Sequence, residues 1–190
     1  SGALSMLASS LGWKVSACDI NPFAVVASKG NLNSHGLDGQ IKEGGVGPEE
    51  FPFIDKFDLI IWNLPYIPVA EVDDVLGPME EAALIDTDER GLANRLVDCI
   101  NANQLLANNG KILILGRDNL HIENNIFAVR KWDVIDFEDG EKLAIRCLWR
   151  PFESAVNNFV KRTGSTNDDV MEFSEIGSHV SSSWHDSGRG

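Results

Sequence analysis

Long hydrophobic runs are missing from this chain: no apolar stretch approaches the roughly 20 residues that a membrane-spanning helix needs. That excludes a helical membrane protein by sequence. Cysteine is scarce, with three residues at 18, 99 and 147 and no paired spacing. Neither a disulfide framework nor a zinc site fits such a set, so reduced thiols and no bound metal are expected. No basic start followed by an apolar core opens the chain, so no secretory signal is read and a cytoplasmic location is expected. Positive charge is short too. Lys and Arg number 16 against 29 Asp and Glu, a net charge of −13, and residues 1 to 150 alone hold 13 bases against 23 acids. A field of that sign repels duplex nucleic acid unless a local basic patch opposes it, and no run of Lys and Arg supplies one. The chain also lacks an initiator Met and ends Asp-Ser-Gly-Arg-Gly, which reads as a fragment of a longer protein.

What is present suits a packed soluble domain: 43% of residues are hydrophobic and 24% charged. Residues 3–12 place apolar side chains at helical spacing before a glycine stop. Residues 13–20 alternate and end acidic, as a strand does. Asn21 and Pro22 then start a helix, one as cap and the other at the first helical position. A short strand over 39–45 runs into glycines. Residues 56–62, Lys-Phe-Asp-Leu-Ile-Ile-Trp, read as a buried parallel strand. Residues 69–89 carry eight acids and no base. An amphipathic helix is expected over 89–110, a strand over 111–116, and a helix over 119–130. Two alternating runs over 131–150 flank Asp139-Gly140, a strong hairpin signal. Strand and helix alternate up to that hairpin, which predicts an α/β fold with a doubly wound, mostly parallel sheet and an antiparallel hairpin near its end.

Ligands of such sheets sit beyond the carboxyl ends of the strands. Three predicted strand ends carry polar groups: Asp19, then Glu43 with Gly44 and Gly45, then Asn63. They are expected to converge on one crevice. Asp19 either accepts hydrogen bonds from ribose hydroxyls or caps the following helix. Glu43 either reaches the adenosine region of a cofactor or stays solvated. Ser1 and Gly2 fit the tail of a strand-to-helix turn, where glycine admits a close backbone approach. In Asn63-Leu64-Pro65-Tyr66, the asparagine carbonyl and a backbone carbonyl held by Pro65 can accept hydrogen bonds from a planar –NH2 group. Tyr66, the only tyrosine of the chain, can stack on that group. Such a nitrogen is a poor nucleophile, and holding it in line with an electrophilic methyl promotes attack by orientation and charge stabilisation. The plainer alternative is that Asn and Pro merely end a strand.

The stretches Ser1–Ser9, Ser16–Gly36, Phe57–Pro68, Ala83–Leu92 and Lys111–Gly116, taken together, resemble class I S-adenosylmethionine-dependent methyltransferases. Within that class they are most similar to HemK-type glutamine methyltransferases, which modify peptide-chain release factors. The resemblance implies a Rossmann-like domain over 1–150 with its first strand missing. It implies S-adenosyl-L-methionine as cofactor, held by Ser1, Gly2, Asp19, Ile20, Glu43, Gly44 and Asn63. Asn63, Pro65 and Tyr66 would be the catalytic residues and a release factor the protein partner. Three departures are visible. Leu64 stands where the family has proline, as in ribosomal RNA adenine dimethylases. Asp86-Thr87-Asp88 replaces glycines, and the glycine-rich first motif is absent. An RNA or DNA adenine methyltransferase and a catalytically silent binding module are therefore the alternatives. Oligomeric state is open.

Beyond Arg150-Pro151 the composition changes. Ser165-Thr166-Asn167 and the later Gly188-Arg189-Gly190 resemble the start of a biotin protein ligase, so 151–190 is expected to be a linker and an incomplete ligase-like segment. A polar tail is the alternative.

Overall fold

The computed structural model describes residues 2–47, 49–71, 76–124, 126–138 and 140–151. Ser1, Asp139 and the ligase-like segment after Pro151 lie outside them.

The chain begins with α1 (Ala3–Ser10), β1 (Ser16–Asp19), α2 (Pro22–Ser34) and β2 (Gln40–Glu43). The Asn21 side chain accepts from the Phe23 N–H at 2.9 Å, so Asn21 and Pro22 start α2 as the sequence predicts. Strands β1 and β2 pair in parallel, with Asp19 directly opposite Glu43. Val25 and Leu32 of α2 close with Ile41 of β2 into a small core.

The larger core lies under a four-stranded sheet of order β3–β6–β8–β7: β3 (Phe57–Asn63), β6 (Leu106–Arg117), β7 (Ala128–Asp136) and β8 (Lys142–Trp149). β3 and β6 run parallel, while β8 runs antiparallel to both β6 and β7. The hairpin around Gly140 thus joins the main sheet beside residues 111–116, as its sequence signal predicts. Ile112, Ile114 and Leu148 are fully buried beneath α4 (Leu92–Ala102), whose Ala93, Leu96, Val97, Cys99 and Ile100 face them. Between β3 and α4 the acidic stretch forms β4 (Ile67–Pro68), a 3-10 turn (Val69–Glu71), α3 (Pro78–Leu84) and β5 (Ile85–Asp86). β4 and β5 pair in parallel. The fold is therefore α/β, with parallel pairing everywhere except at the terminal hairpin. Among the described residues, no strand pairs with the second edge of β1 or of β3, so the described strands form three sheets: β1–β2, the four-stranded sheet and the short β4–β5 pair.

Two predicted helices differ. The helix expected over 89–110 stops at Ala102, because Gln104 takes a positive φ of 52° and the chain turns directly into β6. The helix expected over 119–130 does not form. Its backbone is claimed by side chains instead: Asn124 accepts from the Ile126 and Phe127 N–H groups, and Asn94 of α4 accepts from the Glu123 N–H at 2.8 Å.

Candidate active site

Asn63 ends β3 in register with Leu115 of β6. It is exposed, and its carboxamide makes no hydrogen bond to any described residue. The next two residues turn inward. Leu64 is 1% exposed and fills the main core, and Pro65 is also buried. The Leu64 N–H donates to the Leu115 carbonyl at 3.0 Å. Proline could not make that bond, so leucine here extends the ladder one step past Asn63 and anchors the motif by packing. Tyr66 then emerges half-buried, its N–H bonded to the Leu84 carbonyl at 3.1 Å.

Two clefts meet at Tyr66. One, of about 470 Å³, is lined by Tyr66, Ile67, Glu71, Arg117 and Glu141. The other, of about 270 Å³, adds Pro68, Asp86, Asp88, Asn119 and Leu120 to the shared Tyr66, Glu71 and Arg117. Glu71, Asp86, Asp88 and Glu141 set four carboxylates against one guanidinium. The cations nearby are already engaged: Arg117 with Glu71 at 2.7 Å, Arg95 with Glu50 at 2.9 Å and Asp88 at 3.7 Å, Arg90 with Asp98 at 2.9 Å.

The Asp86-Thr87-Asp88 departure has a structural use. Both Asp86 carboxylate oxygens lie 3.1 Å from the Leu92 N–H, the first amide of α4, and Oδ1 also accepts from the Asp88 N–H. Asp88 in turn accepts from the Arg90 N–H at 2.9 Å. The carboxylates satisfy amides at the α4 N-terminus, where negative charge is favoured. Gly91, with φ 83°, supplies the turn into the helix.

The expected cofactor residues divide. Asp19 and Glu43 are neighbours and both exposed. Asp19 Oδ1 accepts from the Asn21 N–H at 2.9 Å, a local turn, and its other oxygen accepts nothing from the described residues. Ile20 beside it is 66% exposed. Gly44 donates its N–H to the Asp19 carbonyl, and a Cβ there would come 2.8 Å from Pro52, so close packing alone requires glycine. Gly2 is held similarly: its φ is 73°, and a Cβ would lie 2.9 Å from that of Ser28. Asp19 and Glu43 line neither cleft at Tyr66. Asn63 and Pro65 line neither cleft either, so of the expected site residues Tyr66 alone does; Asn63 ends β3, while Asp19 and Glu43 stand opposite each other at the ends of β1 and β2.

Sequence reasoning missed Arg117, Glu71, Glu141 and Asn119. Arg117 carried one signal: it is the first charged residue after a buried strand, at the same end of the sheet as Asn63.

No family profile and no curated protein matches the chain. Among solved structures, it is similar to the tRNA (uracil-54, C5)-methyltransferase of Pyrococcus abyssi in complex with S-adenosyl-L-homocysteine. Identity is 16%, coverage 76% of this chain and 30% of that one, and the TM-score 0.47. It is similar to a protein from Pyrococcus horikoshii OT3 at 14% identity, 76% coverage of both chains and a TM-score of 0.44. TehB from Haemophilus influenzae follows at 13% identity, 74% and 50% coverage, and a TM-score of 0.43. With identities this low and scores under 0.5, the fold stands on the strand order and pairing described above: α/β, mostly parallel, closed by an antiparallel hairpin.

Proposed function

We propose that the chain is an S-adenosylmethionine-dependent N-methyltransferase whose acceptor is the side-chain amide nitrogen of a glutamine in a protein, such as a peptide-chain release factor. One observation carries this reading. Asn63 holds an unengaged carboxamide at a strand's carboxyl end, followed by a core leucine and a buried proline, three residues before the only tyrosine. An amide is recognised by donors and acceptors like its own, and Asn63 offers both.

When bound, S-adenosylmethionine supplies an electrophilic methyl group. Asp19, with one unoccupied oxygen beside exposed Glu43, fits a vicinal diol, and Ile20 offers apolar surface next to it. The Asn63 oxygen accepts one N–H of the substrate amide, the Leu64 carbonyl before Pro65 accepts the other, and Tyr66 covers the planar face. The bound cofactor would supply the methyl group to that nitrogen, whose extra proton would leave to solvent, while Asn63, Leu64 and Tyr66 hold and orient the amide. No ionised base is required. Holding both N–H groups stabilises positive charge as it develops on nitrogen.

The acidic lining of the clefts favours a protein over a nucleic-acid acceptor, because the three arginines nearby are already paired and phosphates would meet mostly carboxylates. We further propose that a parallel strand lies between β1 and β3, whose facing edges pair with no strand among the described residues, and so puts Asp19, Glu43 and Asn63 at one end of a continuous sheet. The deciding experiment supplies methyl-labelled cofactor with release factor and, separately, with RNA. Label on a release-factor glutamine supports the proposal. Label on RNA alone would replace it with the adenine methyltransferase, and partner binding without transfer would replace it with the silent binding module.

A further inference from the structure

Arg117 closes β6 two positions beyond Leu115, the cross-sheet partner of Asn63. Its guanidinium meets carboxylates from two separate elements. Nη1 lies 2.7 Å from Glu71 Oε2, and Nε lies 3.5 Å from Glu141 Oε1. Glu71 ends the turn that follows Tyr66 and Pro68, and Glu141 belongs to the β7–β8 connection. Tyr66, Glu71 and Arg117 line both clefts, so the Arg117–Glu71 pair is a wall the two share.

Pairs this exposed add little to stability. What a planar guanidinium does offer is geometry: its fork fixes the spacing and angle of the groups it bridges. The Tyr66–Glu71 segment has few other ties to the sheet. Among the described residues, its backbone bonds to other elements go to Leu84 of α3 and to β5, neither of which belongs to the four-stranded sheet. We propose that Arg117 is a positioning residue, which fixes the segment from Tyr66 to Glu71 against the sheet and thereby sets where Tyr66 stands relative to Asn63. The kinetic consequence rests on the amide-transfer reading above; the structural consequence does not.

Tyr66 makes the test direct, because it is the only tyrosine. The 190-residue chain grown with 3-fluorotyrosine gives a single fluorine resonance that reports this cleft. Arg117→Ala and Glu71→Gln should each shift or broaden it while thermal melts stay near the parent's. Arg117→Lys, which keeps the charge and loses the fork, should fall between. Arg90→Ala, which removes a more exposed pair between the loop before α4 and Asp98 of that helix, should leave the resonance in place. An unmoved resonance in folded Arg117→Ala, or an equal shift in Arg90→Ala, would overturn the proposal. So would unfolding of both Arg117→Ala and Glu71→Gln, since the pair would then be a stability element.

In the kinetic arm, transfer from labelled S-adenosylmethionine to release factor should lose roughly ten- to a hundredfold in kcat in Arg117→Ala, from misplacement alone. KM for S-adenosylmethionine should stay within about twofold, and Arg117→Lys should recover part of the loss. A matching rise in that KM would contradict positioning. No transfer by the parent chain would remove the amide-transfer reading, and the fluorine result would still decide the role of Arg117.

Discussion

Asn63 shows how far a single residue can be read. Its place was visible because an apolar, β-rich run names a buried strand, and whatever polar group ends that strand faces the ligand side of an α/β sheet. The structure adds that the carboxamide has no partner among the described residues. Removing it should therefore not unfold the chain. Asn63→Ala should melt at the parent temperature and bind cofactor as the parent does, yet lose about 3 kcal/mol of transition-state stabilisation, roughly a hundredfold in turnover. Asp19 was equally visible and is more ambiguous, because one of its oxygens serves the turn into α2. If the other oxygen holds ribose, Asp19→Ala should weaken S-adenosylmethionine binding about ten- to a hundredfold in calorimetric titration. A lower melting point with unchanged affinity would leave Asp19 as a turn residue only. Cys18 gives a prediction independent of function. Burial, and then the adjacent Asp19 carboxylate, push its thiol up to about 11. About one molecule in a thousand carries the thiolate at pH 8, so alkylation there should be slow and should accelerate up to pH 11. The folded value is above that of the unfolded chain, so the thiol's contribution to stability is complete below about pH 9 and is lost as pH rises towards 11. Arg117 was the residue the sequence hid. Its partners lie in a distant acidic stretch and in the hairpin turn, and only the sheet order brings them to one point.

Helices and strands were legible where apolar periodicity was strong and misleading where asparagines compete for the backbone. The strand at Phe57–Asn63, the helix after Asn21-Pro22 and the terminal hairpin each had a pattern plus a cap or turn residue, and each forms. A helix is expected over 119–130, but Asn94 and Asn124 take amides within it, and the Asn94 bond is a tertiary choice that no local pattern encodes. Asn94 is 4% exposed and ties α4 to this loop, accepting from Glu123 and donating to the Arg90 carbonyl. Asn94→Ala should therefore cost about 1–3 kcal/mol in denaturant unfolding, the cost of stranding buried partners. Asp86 offers a contrast at the same, N-terminal end of that helix. Asp86→Ala removes a charged cap and should cost about 1 kcal/mol. The acids that looked like a lost glycine motif were read as a departure because their bonds to the α4 amides cannot be seen in sequence. A loss much under 0.5 kcal/mol in either variant would mean that water replaces the side chain at no cost.

At the scale of the whole molecule, two features frame the proposed chemistry: a net charge of −13 and, beside the short β4–β5 pair, a sheet in two parts, with Asn63 ending a strand of one and Asp19 and Glu43 ending strands of the other. The α/β class and the antiparallel hairpin at the end of the sheet were legible from alternation and one turn signal. The separation was not, because it depends on pairing at the second edges of β1 and β3. The measurement that bears most directly on the central claim is single-turnover transfer of labelled methyl from S-adenosylmethionine to release factor, comparing the parent chain with Asn63→Ala beside their thermal melts. Label on a glutamine with the parent, and about a hundredfold slower transfer with Asn63→Ala at an unchanged melting point, is the predicted result. Equal rates in the two proteins, or a fall in rate that tracks a fall in melting temperature, would contradict it and return Asn63 to the role of a strand end.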